Sequence, residues 1–283
     1  MRSQEEIWDI EIKPRNKNFS LNIKEIWQYR DLLWMYVKRD ITTMYKQTIL
    51  GPLWFIIQPL FTTVTFMFIF GNIAQISTDG LPQILFYLCG IMGWNYFSEC
   101  LGRTSSTFMS NAGVFSKVYF PRLVVPISST ISTLIKLGIQ LLLFLAIYMY
   151  YYLNGANIQP NIYLLLFPIL IAMLAGLALG FGIIISALTT KYRDLALFFG
   201  FVTQLWMYAT PIIYPLSAMP QKYMWLIELN PLTSIMEAIK YGFMGAGTFS
   251  WGSLLYSFIF TVVIVVIGAG MFNKVERSFV DVV

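Results

Sequence analysis

Residues 44–60 read MYKQTILGPLWFIIQPL, and they mark the point at which the chain leaves water for an apolar environment. Lys46 is the last charged residue before Asp79, and apolar side chains dominate the sequence between them. Proline is accepted in the first turn of a helix but not in its interior, so Gly51-Pro52 predicts a break between two helices. We therefore expect a basic helix that approaches a membrane and, after the break, a helix that enters it.

The composition of the whole chain is that of an integral membrane protein. Of its 283 residues, 57% are hydrophobic and 12% are charged, whereas a soluble domain carries about 25% charged residues. The net charge of +5 is therefore interpreted through its distribution across a bilayer. Nucleic acid is not expected as a partner.

The sequence offers little for catalysis or metal binding. It contains no histidine, and its two cysteines, Cys89 and Cys100, are not spaced as a metal or redox motif. It has neither the G-x-x-x-x-G-K-[ST] motif that cradles ATP nor the G-x-S-x-G motif of a nucleophilic serine. We expect a chain that is not an enzyme and that holds no metal and no cofactor of its own.

Charge-free stretches predict an all-α integral membrane protein with six transmembrane helices. About 20 apolar residues are needed to cross the hydrocarbon core. The turn-rich segment NGANIQP at 154–160 divides an apolar stretch that is too long for one helix. The expected spans are 49–70, 82–99, 124–153, 162–188, 195–213 and 253–272.

Lysine and arginine are distributed unevenly about these spans. Residues 1–48 carry nine of them, whereas the loops 72–82 and 153–161 carry none. Cytoplasmic segments are the ones enriched in these residues. We therefore expect both termini on the cytoplasmic side.

Two segments depart from simple spans. Residues 22–48 have apolar side chains at spacings of three and four with basic residues mostly opposite, which predicts an amphipathic interface helix; a helix of a soluble N-terminal domain is the alternative. Residues 215–247 contain four charged residues and break at Asn230-Pro231, which predicts a re-entrant outer helix pair or a pair lying on the outer surface. The remaining predicted units are a cytoplasmic segment 1–21, the transmembrane domain 49–272 and a cytoplasmic tail 273–283.

Three ionisable residues lie within or at the ends of the predicted spans. Glu99 and Arg103 are four residues apart, the favourable order for a pair on one helix, although both could also reach water at the helix end. Lys136 lies about 20 Å along its helix from Arg122, so it either faces a hydrated path or pairs with Glu99. We favour the pair, because a proton relay needs several spaced carboxylates.

Aromatic residues are frequent in and around spans one, two and five, and small residues recur in span four. Most of these rings suit interfacial belts or packing, but ring faces would also suit a conduit for sugars. The small residues Ala172, Gly176 and Gly180 permit close helix contact, within one protomer or between two. The rings considered for a conduit are Trp54, Phe55, Phe61, Trp94, Tyr96, Trp206, Tyr208 and Tyr214.

Five segments, taken together, resemble one protein family. They are YRDLLWMYVKRDITTMYKQTILGPLWFIIQPL at 29–60, VFSKVYFPRLVVPISS at 114–129, KYRDL at 191–195, ATPIIYP at 209–215 and LNPLTSIMEAIKYGFMG at 229–245. In order and spacing the chain is similar to type-2 ABC exporter permeases of the polysaccharide branch. The resemblance implies the type V exporter fold, with six spans, an interface helix and a pair of outer gate helices at about 215–247.

The resemblance also implies two functional regions. Leu50-Gly51 corresponds to a loop at the portal for a lipid-linked substrate, and the implied diphosphate site consists of Arg30, Lys38, Arg39, Lys46, Leu50 and Gly51. Residues 106–120 correspond to a coupling helix that contacts a separate ATPase, with a second contact at the turn 192–194. The implied coupling residues are Phe115, Ser116, Lys117, Phe120, Tyr192 and Arg193.

The implied partners are a second copy of the chain and two copies of a P-loop ABC ATPase, which binds ATP and Mg²⁺. The implied cargo is an undecaprenyl-diphosphate-linked or other lipid-linked polysaccharide, carried across the bacterial cytoplasmic (inner) membrane and surrounded by membrane lipid. Lipopolysaccharide O-antigen is the first choice, because the extended N-terminus and the KQT-x-LG segment most resemble that subgroup. Capsular polysaccharide, wall teichoic acid and a drug or small-lipid cargo are alternatives, and an ion-driven transporter would show an internal repeat that the sequence lacks.

Overall fold

A computed structural model describes residues 23–46, 49–115, 117–118, 120–192 and 194–282, with residues 23–25 and 273–282 described only as helix. The described residues form helices and connecting turns without β-strands. The α-helices are α1 (Ile23–Gln28), α2 (Arg30–Tyr45), α3 (Trp54–Phe66), α4 (Gln83–Ser105), α5 (Thr107–Phe115), α6 (Val124–Leu153), α7 (Phe167–Lys191), α8 (Leu195–Tyr208), α9 (Gln221–Glu228), α10 (Pro231–Met244) and α11 (Trp251–Val282). A 3-10 turn at Gly51–Leu53 precedes α3, a π-helix at Met67–Ile73 continues it, and 3-10 turns at Ile162–Leu166 and Leu216–Ala218 precede α7 and α9.

Four helical stretches of the described residues are long and apolar enough to cross a membrane. They are Gly51–Ile73, Val124–Leu153, Ile162–Lys191 and Trp251–Phe272, and they cover predicted spans one, three, four and six. Helices also occupy the other two positions, but they do not meet the same criteria. The helix α8 has only 14 residues, about 21 Å at 1.5 Å per residue, and α4 has 23 residues but is less apolar.

The helix α4 is the centre of the molecule, which explains its polar content. It packs against α6 and α7, and fifteen of its residues are buried. A Cβ added at Gly93 would lie 2.8 Å from the sulfur of Met236, so α10 also approaches α4 closely. Because protein surrounds α4, its polar side chains meet other helices instead of lipid.

The glycines of span four lie in the crossing of α7 and α11. A Cβ at Gly176 would lie 2.7 Å from Thr261 Cγ2, and one at Gly180 would lie 2.6 Å from Ile264 Cγ2. On the other helix, a Cβ at Gly268 would lie 2.8 Å from the Gly180 carbonyl oxygen. The close contact predicted from the spacing is thus made within one protomer, while Ala172 is exposed.

The predicted interface helix is divided into α1 and α2 at Tyr29. The helix α2 buries Tyr36 and Val37 against the α6 end of the bundle and leaves Trp34 exposed, as is Trp27 on α1. Gly51 has φ +49°, a left-handed conformation that favours glycine, and Pro52 follows in the 3-10 turn. The Gly-Pro break between two helices is therefore confirmed.

The segment between α8 and α11 contains the predicted helix pair, α9 and α10. Asn230 caps α10 by accepting a hydrogen bond from the Leu232 amide at 3.1 Å, and Pro231 occupies the first turn, as predicted. The helix α10 is buried, so a pair lying wholly on the surface does not describe this segment. Its charged residues form a buried pair: Lys240 Nζ lies 3.4 Å from Glu237 Oε1 and donates to the Pro211 carbonyl at 2.5 Å.

Candidate functional site

A cavity of about 510 Å³ lies where α2, α3, α4 and α6 meet. We call it the charged cavity, because ionic side chains from three helices line it together with one aromatic ring. The sequence predicted basic residues on α2 and intramembrane charged residues on α4 and α6. Its lining includes Arg39, Asp40, Thr43, Phe55, Arg103 and Lys136.

Positive and negative side chains alternate along the charged cavity. Glu99 Oε1 accepts a hydrogen bond from Lys136 Nζ and another, at 3.0 Å, from Arg103 Nε. Arg103 Nη1 lies 3.6 Å from Asp40 Oδ2, and Asp40 Oδ1 accepts from Arg39 Nη2 at 2.8 Å. Since three cations alternate with two carboxylates, the chain of ion pairs joins α2, α4 and α6 and keeps one positive charge in excess.

The pairing of Lys136 with Glu99, which the sequence analysis favoured over a hydrated path, is present in the structure. The Lys136 side chain is 19% exposed and borders the cavity, with its ammonium 4.8 Å from the centre of the Phe55 ring. Phe55 therefore lies beside a cation at this site. The Glu99 carboxylate and the Phe55 ring together orient the Lys136 ammonium.

Asp40 lines the charged cavity, although the sequence prediction did not include it. Its side chain is only 10% exposed and also accepts from Ser132 Oγ at 3.5 Å. A signal was available, because Asp40 follows the buried residues Tyr36 and Val37 by four and three positions and so shares their face of α2. Burial raises the pKa of Tyr36, which therefore stays neutral beneath the Arg39 guanidinium, 4.4 Å from its ring centre.

The other predicted diphosphate residues lie around the charged cavity but do not line it. Arg30 is exposed and 3.9 Å from Asp31, and Lys38 and Lys46 are exposed on α2 and at its end. Leu50 is partly exposed at the turn before α3, next to the left-handed Gly51. Of the four basic residues proposed for this region, the structure brings only Arg39 to the cavity wall.

The rings considered for a conduit separate into four groups. Trp54, Phe61 and Tyr208 are exposed, and Phe55 belongs to the charged cavity. Trp206 and Tyr214 are partly buried, and the Trp206 indole donates to Asn230 Oδ1 at 3.0 Å. Trp94 and Tyr96 are buried in the core of the protomer, because α4 is enclosed by its neighbours. These two rings therefore have no surface to offer a conduit in this structure.

The coupling residues need a similar correction. Lys117 and Tyr192 are exposed, but Phe115 and Phe120 are each only 5% exposed. Their rings pack on each other and on Phe108 and Tyr36, which fastens the end of α5 to α2. Phe115 and Phe120 thus anchor the segment from inside; Ser116 and Arg193 lie outside the described residues.

The exposed apolar side chains of this segment are different ones. Met109 and Val114 on α5, and Val118 after it, are exposed. We call Met109, Val114 and Val118 the α5 surface.

The chemistry available at the charged cavity is anion binding. Guanidinium and ammonium groups donate charge-assisted hydrogen bonds to phosphate oxygens, and arginine does so with two parallel bonds. The two carboxylates keep the cations paired until an anion competes for them. The arrangement can therefore bind and orient an anion.

Comparisons with known proteins place the chain among transporters. A family model described as "ABC-2 type transporter" matches residues 31–244. The chain is 29% identical over 256 residues to the O-antigen export system permease protein RfbA of Klebsiella pneumoniae, which covers 89% of this chain and 95% of that protein. The corresponding protein of Myxococcus xanthus is 27% identical over 77% of this chain and 82% of its own length.

A relative named for a different cargo also matches. The polysialic acid transport protein KpsM of Escherichia coli is 26% identical over 249 residues, which cover 85% of this chain and 92% of that protein. The matched region contains α2, with its buried face and Asp40, the charged cavity and α10. The chain therefore belongs to the ABC-2 type transporter membrane family.

Proposed function

We propose that this chain is the permease subunit of an ATP-driven exporter that moves a lipid-linked polysaccharide, first of all lipopolysaccharide O-antigen, across the bacterial inner membrane. The observation that carries the proposal is its similarity to O-antigen export permeases along almost their whole length. The order and spacing of the sequence motifs agree with this similarity. The chain itself is the non-catalytic part of the transporter.

The charged cavity is the proposed portal for the anionic part of the substrate. A lipid-linked glycan carries a diphosphate between lipid and sugar, and Arg39, Arg103 and Lys136 offer cations of the kind that bind it. Asp40 and Glu99 hold these cations in place and are displaced as the diphosphate arrives. Because Asp40 joins α2 to α4, the arrival of substrate also loosens the contact between the interface helix and the bundle.

A separate ATPase supplies the energy through the α5 surface. Two copies of that ATPase, each with ATP and Mg²⁺, dock on two copies of this chain, and the turn 192–194 forms the second contact. Phe115 and Phe120 anchor α5 to α2 and to the helix bundle, so a push on α5 reaches the helix that borders the charged cavity. Packed rings transmit such displacements because they have discrete arrangements.

The homodimer is proposed to form the conduit between the two protomers. Exposed rings on α3 and α8, among them Trp54, Phe61 and Tyr208, provide sugar-compatible walls. In this arrangement α4 and α8 complete the six spans, both termini are cytoplasmic, and α9 and α10 form the outer gate. A dimer shields the short α8, none of whose residues is buried within the protomer.

Capsular polysaccharide is the second candidate cargo. It is favoured by the match to the polysialic acid transport protein of Escherichia coli over 85% of this chain. The two cargoes share the requirement for a long glycan on a lipid anchor. They differ in the surface glycan that disappears when the permease is lost.

Deletion of the gene, followed by analysis of surface glycans and of lipid-linked precursors, tests the proposal. We expect the O-antigen to vanish from the surface and its lipid-linked form to accumulate on the cytoplasmic side, with restoration by the unchanged chain. Loss of capsule instead would favour the second cargo. Normal surface glycans in the deletion strain would contradict both.

Two arginines of α2 provide a matched pair for the portal. Arg39 lines the charged cavity, whereas Arg30 is exposed on the same helix outside it. In the complemented strain, Arg39→Gln together with Arg103→Gln should reduce export strongly, and Arg30→Gln should not. Equal export by the two variants would remove the charged cavity from the proposal.

A further inference from the structure

A second cavity lies on a different side of the α4 end. Its volume is about 470 Å³, and it lies between α4 and α5 on one side and α7 and α8 on the other. Cavities that hold small ligands measure about 300–1,000 Å³. We call it the hydroxyl cavity, because the described lining residues include Ser98, Ser105, Ser106, Ser110, Thr189 and Thr203.

Most of these hydroxyl groups already donate a hydrogen bond to a backbone carbonyl. Ser105 Oγ donates to the Gly102 carbonyl at 2.8 Å, and Thr203 Oγ1 donates to the Phe199 carbonyl at 2.8 Å. A hydroxyl oxygen has two lone pairs in addition to its proton, so each oxygen can still accept a hydrogen bond. The same pattern, donation to a carbonyl of the same helix, holds for Ser98, Ser106 and Thr189.

The remaining walls are apolar. Phe199 contributes a ring and Leu101 and Ile185 contribute aliphatic groups, while no charged side chain occurs among the described lining residues. A sugar ring matches this combination, since its hydroxyls donate hydrogen bonds and its C–H faces pack on apolar groups. Neutral hydrogen bonds of this kind are individually weak, which suits a glycan that must leave the cavity during transport.

The two cavities lie on different faces of α4. Gly102 lines the hydroxyl cavity and Arg103, the next residue, lines the charged cavity, because consecutive residues of a helix point in directions about 100° apart. We propose that the hydroxyl cavity, with its hydroxyl oxygens, apolar walls and lack of charge among the described lining residues, holds sugar units of the glycan, an assignment that rests on the proposed function.

Glycines in the wall allow a test that leaves the fold intact. A Cβ at Gly102 or Gly200 would have no heavy atom within 4 Å, so a larger side chain can extend into the hydroxyl cavity. Gly138 on α6 has equally open surroundings but does not line this cavity. Gly102→Leu, Gly200→Leu and Gly138→Leu therefore form a matched set of helix glycines.

Export of the glycan, thermal stability and the amount of co-purified ATPase are measured for each variant in the deletion strain. We expect Gly102→Leu and Gly200→Leu to lose export while keeping stability and the ATPase, and Gly138→Leu to export like the unchanged chain. Equal export by all three variants would overturn the assignment of the hydroxyl cavity but not the proposed function. Failure of the unchanged chain to restore export would overturn the proposed function itself.

A labelling experiment covers the case in which a leucine variant does not fold. Cys89 and Cys100 are buried and are replaced by alanine, after which Thr203→Cys is labelled with a small neutral methanethiosulfonate. Membranes that contain the lipid-linked glycan are compared with membranes from a strain that cannot begin its synthesis. We expect the glycan to slow labelling of Thr203→Cys but not of Asp31→Cys, an exposed control on α2; equal labelling of Thr203→Cys in both membranes would overturn the proposal.

Discussion

The pair of Lys136 and Glu99 has the clearest energetic consequence of any single contact in the charged cavity. Replacing Glu99 leaves the partly buried Lys136 ammonium without its carboxylate. Replacing Lys136 leaves the partly buried Glu99 carboxylate with Arg103 only. We expect Lys136→Met and Glu99→Gln each to lower the unfolding temperature in detergent. The double variant should lose less than the sum, with a coupling of about 0.5–3 kcal/mol.

Scanning fluorimetry of the purified variants measures this coupling. Lys222→Met is the control, because Lys222 is an exposed lysine on α9 whose ring neighbour is Tyr223. Strictly additive effects of Lys136→Met and Glu99→Gln would show that the pair contributes nothing specific. A control as destabilised as Lys136→Met would point to loss of charge in general.

At this scale the sequence revealed the partners on the spans but not the one on the interface helix. Glu99, Arg103 and Lys136 stand out because charges are rare in apolar helices. Asp40 does not, since α2 contains several charged residues and only its contact with Arg103 and Ser132 distinguishes it. Periodicity alone also cannot tell a ring that faces a conduit from one that packs a core, as Trp94 and Tyr96 show.

The crossing of α7 and α11 is the element contact most sensitive to a single methyl group. A Cβ at Gly180 would lie 2.6 Å from Ile264 Cγ2 and 3.0 Å from the backbone of Ile264 and Val265, so the helices would have to separate. We expect Gly180→Ala to lower the unfolding temperature by several degrees, about 1–3 kcal/mol for an overpacked core. Thermal unfolding in detergent is the measurement.

The control is a glycine in open surroundings. Gly138→Ala places no heavy atom within 4 Å of the new Cβ, and replacing a helix glycine by alanine is worth about 0.5–1 kcal/mol. It should therefore leave the protein equally or more stable. Equal destabilisation by Gly180→Ala and Gly138→Ala would contradict the close crossing.

Substitutions at two neighbouring residues at the end of α5 should have different effects: one on assembly with the ATPase and the other on stability. Val114 is exposed on the α5 surface, whereas Phe115 is buried among Phe108 and Phe120. We expect Val114→Asp to lose the ATPase during co-purification at an unchanged unfolding temperature. Phe115→Asp should lower that temperature, because a charge would replace a packed ring.

Retention of the ATPase by Val114→Asp, or a stable Phe115→Asp protein, would contradict this assignment.

The positions of the helices were largely predictable from the sequence: 124–153 coincides with α6, and the break at Asn230-Pro231 is where α10 begins. The division of the interface helix at Tyr29 was not, because nothing in its apolar periodicity changes there. The burial of Phe115 depends on contacts with α2 and the end of α6, which lie far away in sequence.

For the whole molecule, the proposed six spans and cytoplasmic termini predict which residues a reagent outside the cell can reach. In a chain whose buried cysteines are replaced, Asn154→Cys in the loop after α6 should react with a membrane-impermeant maleimide on intact cells. Lys117→Cys, exposed after α5, should react only after the inner membrane is opened. The opposite pattern would reverse the orientation inferred from the lysine and arginine distribution.

The family and the all-helical class with long apolar helices were predictable from the sequence, because apolar length and motif order can be recognised without any three-dimensional information. The relations between helices were not, since four helices supply the charged cavity and the partners of Arg103 come from α2 and α4. Those relations turn separate charged residues into one site. They also link the proposed ATPase contact at α5 with the proposed portal, through the ring cluster beneath α2.

The central claim is that ATP hydrolysis by a separate ATPase moves a lipid-linked glycan through a dimer of this chain. The most direct test reconstitutes the chain, together with the ATPase that co-purifies with it, into liposomes that contain the lipid-linked glycan and follows access of a glycosidase to that glycan. The account predicts that ATP moves the glycan across the bilayer and that a catalytically inactive ATPase abolishes this movement. Movement by the chain alone, driven by an ion gradient in the absence of ATPase, would contradict it.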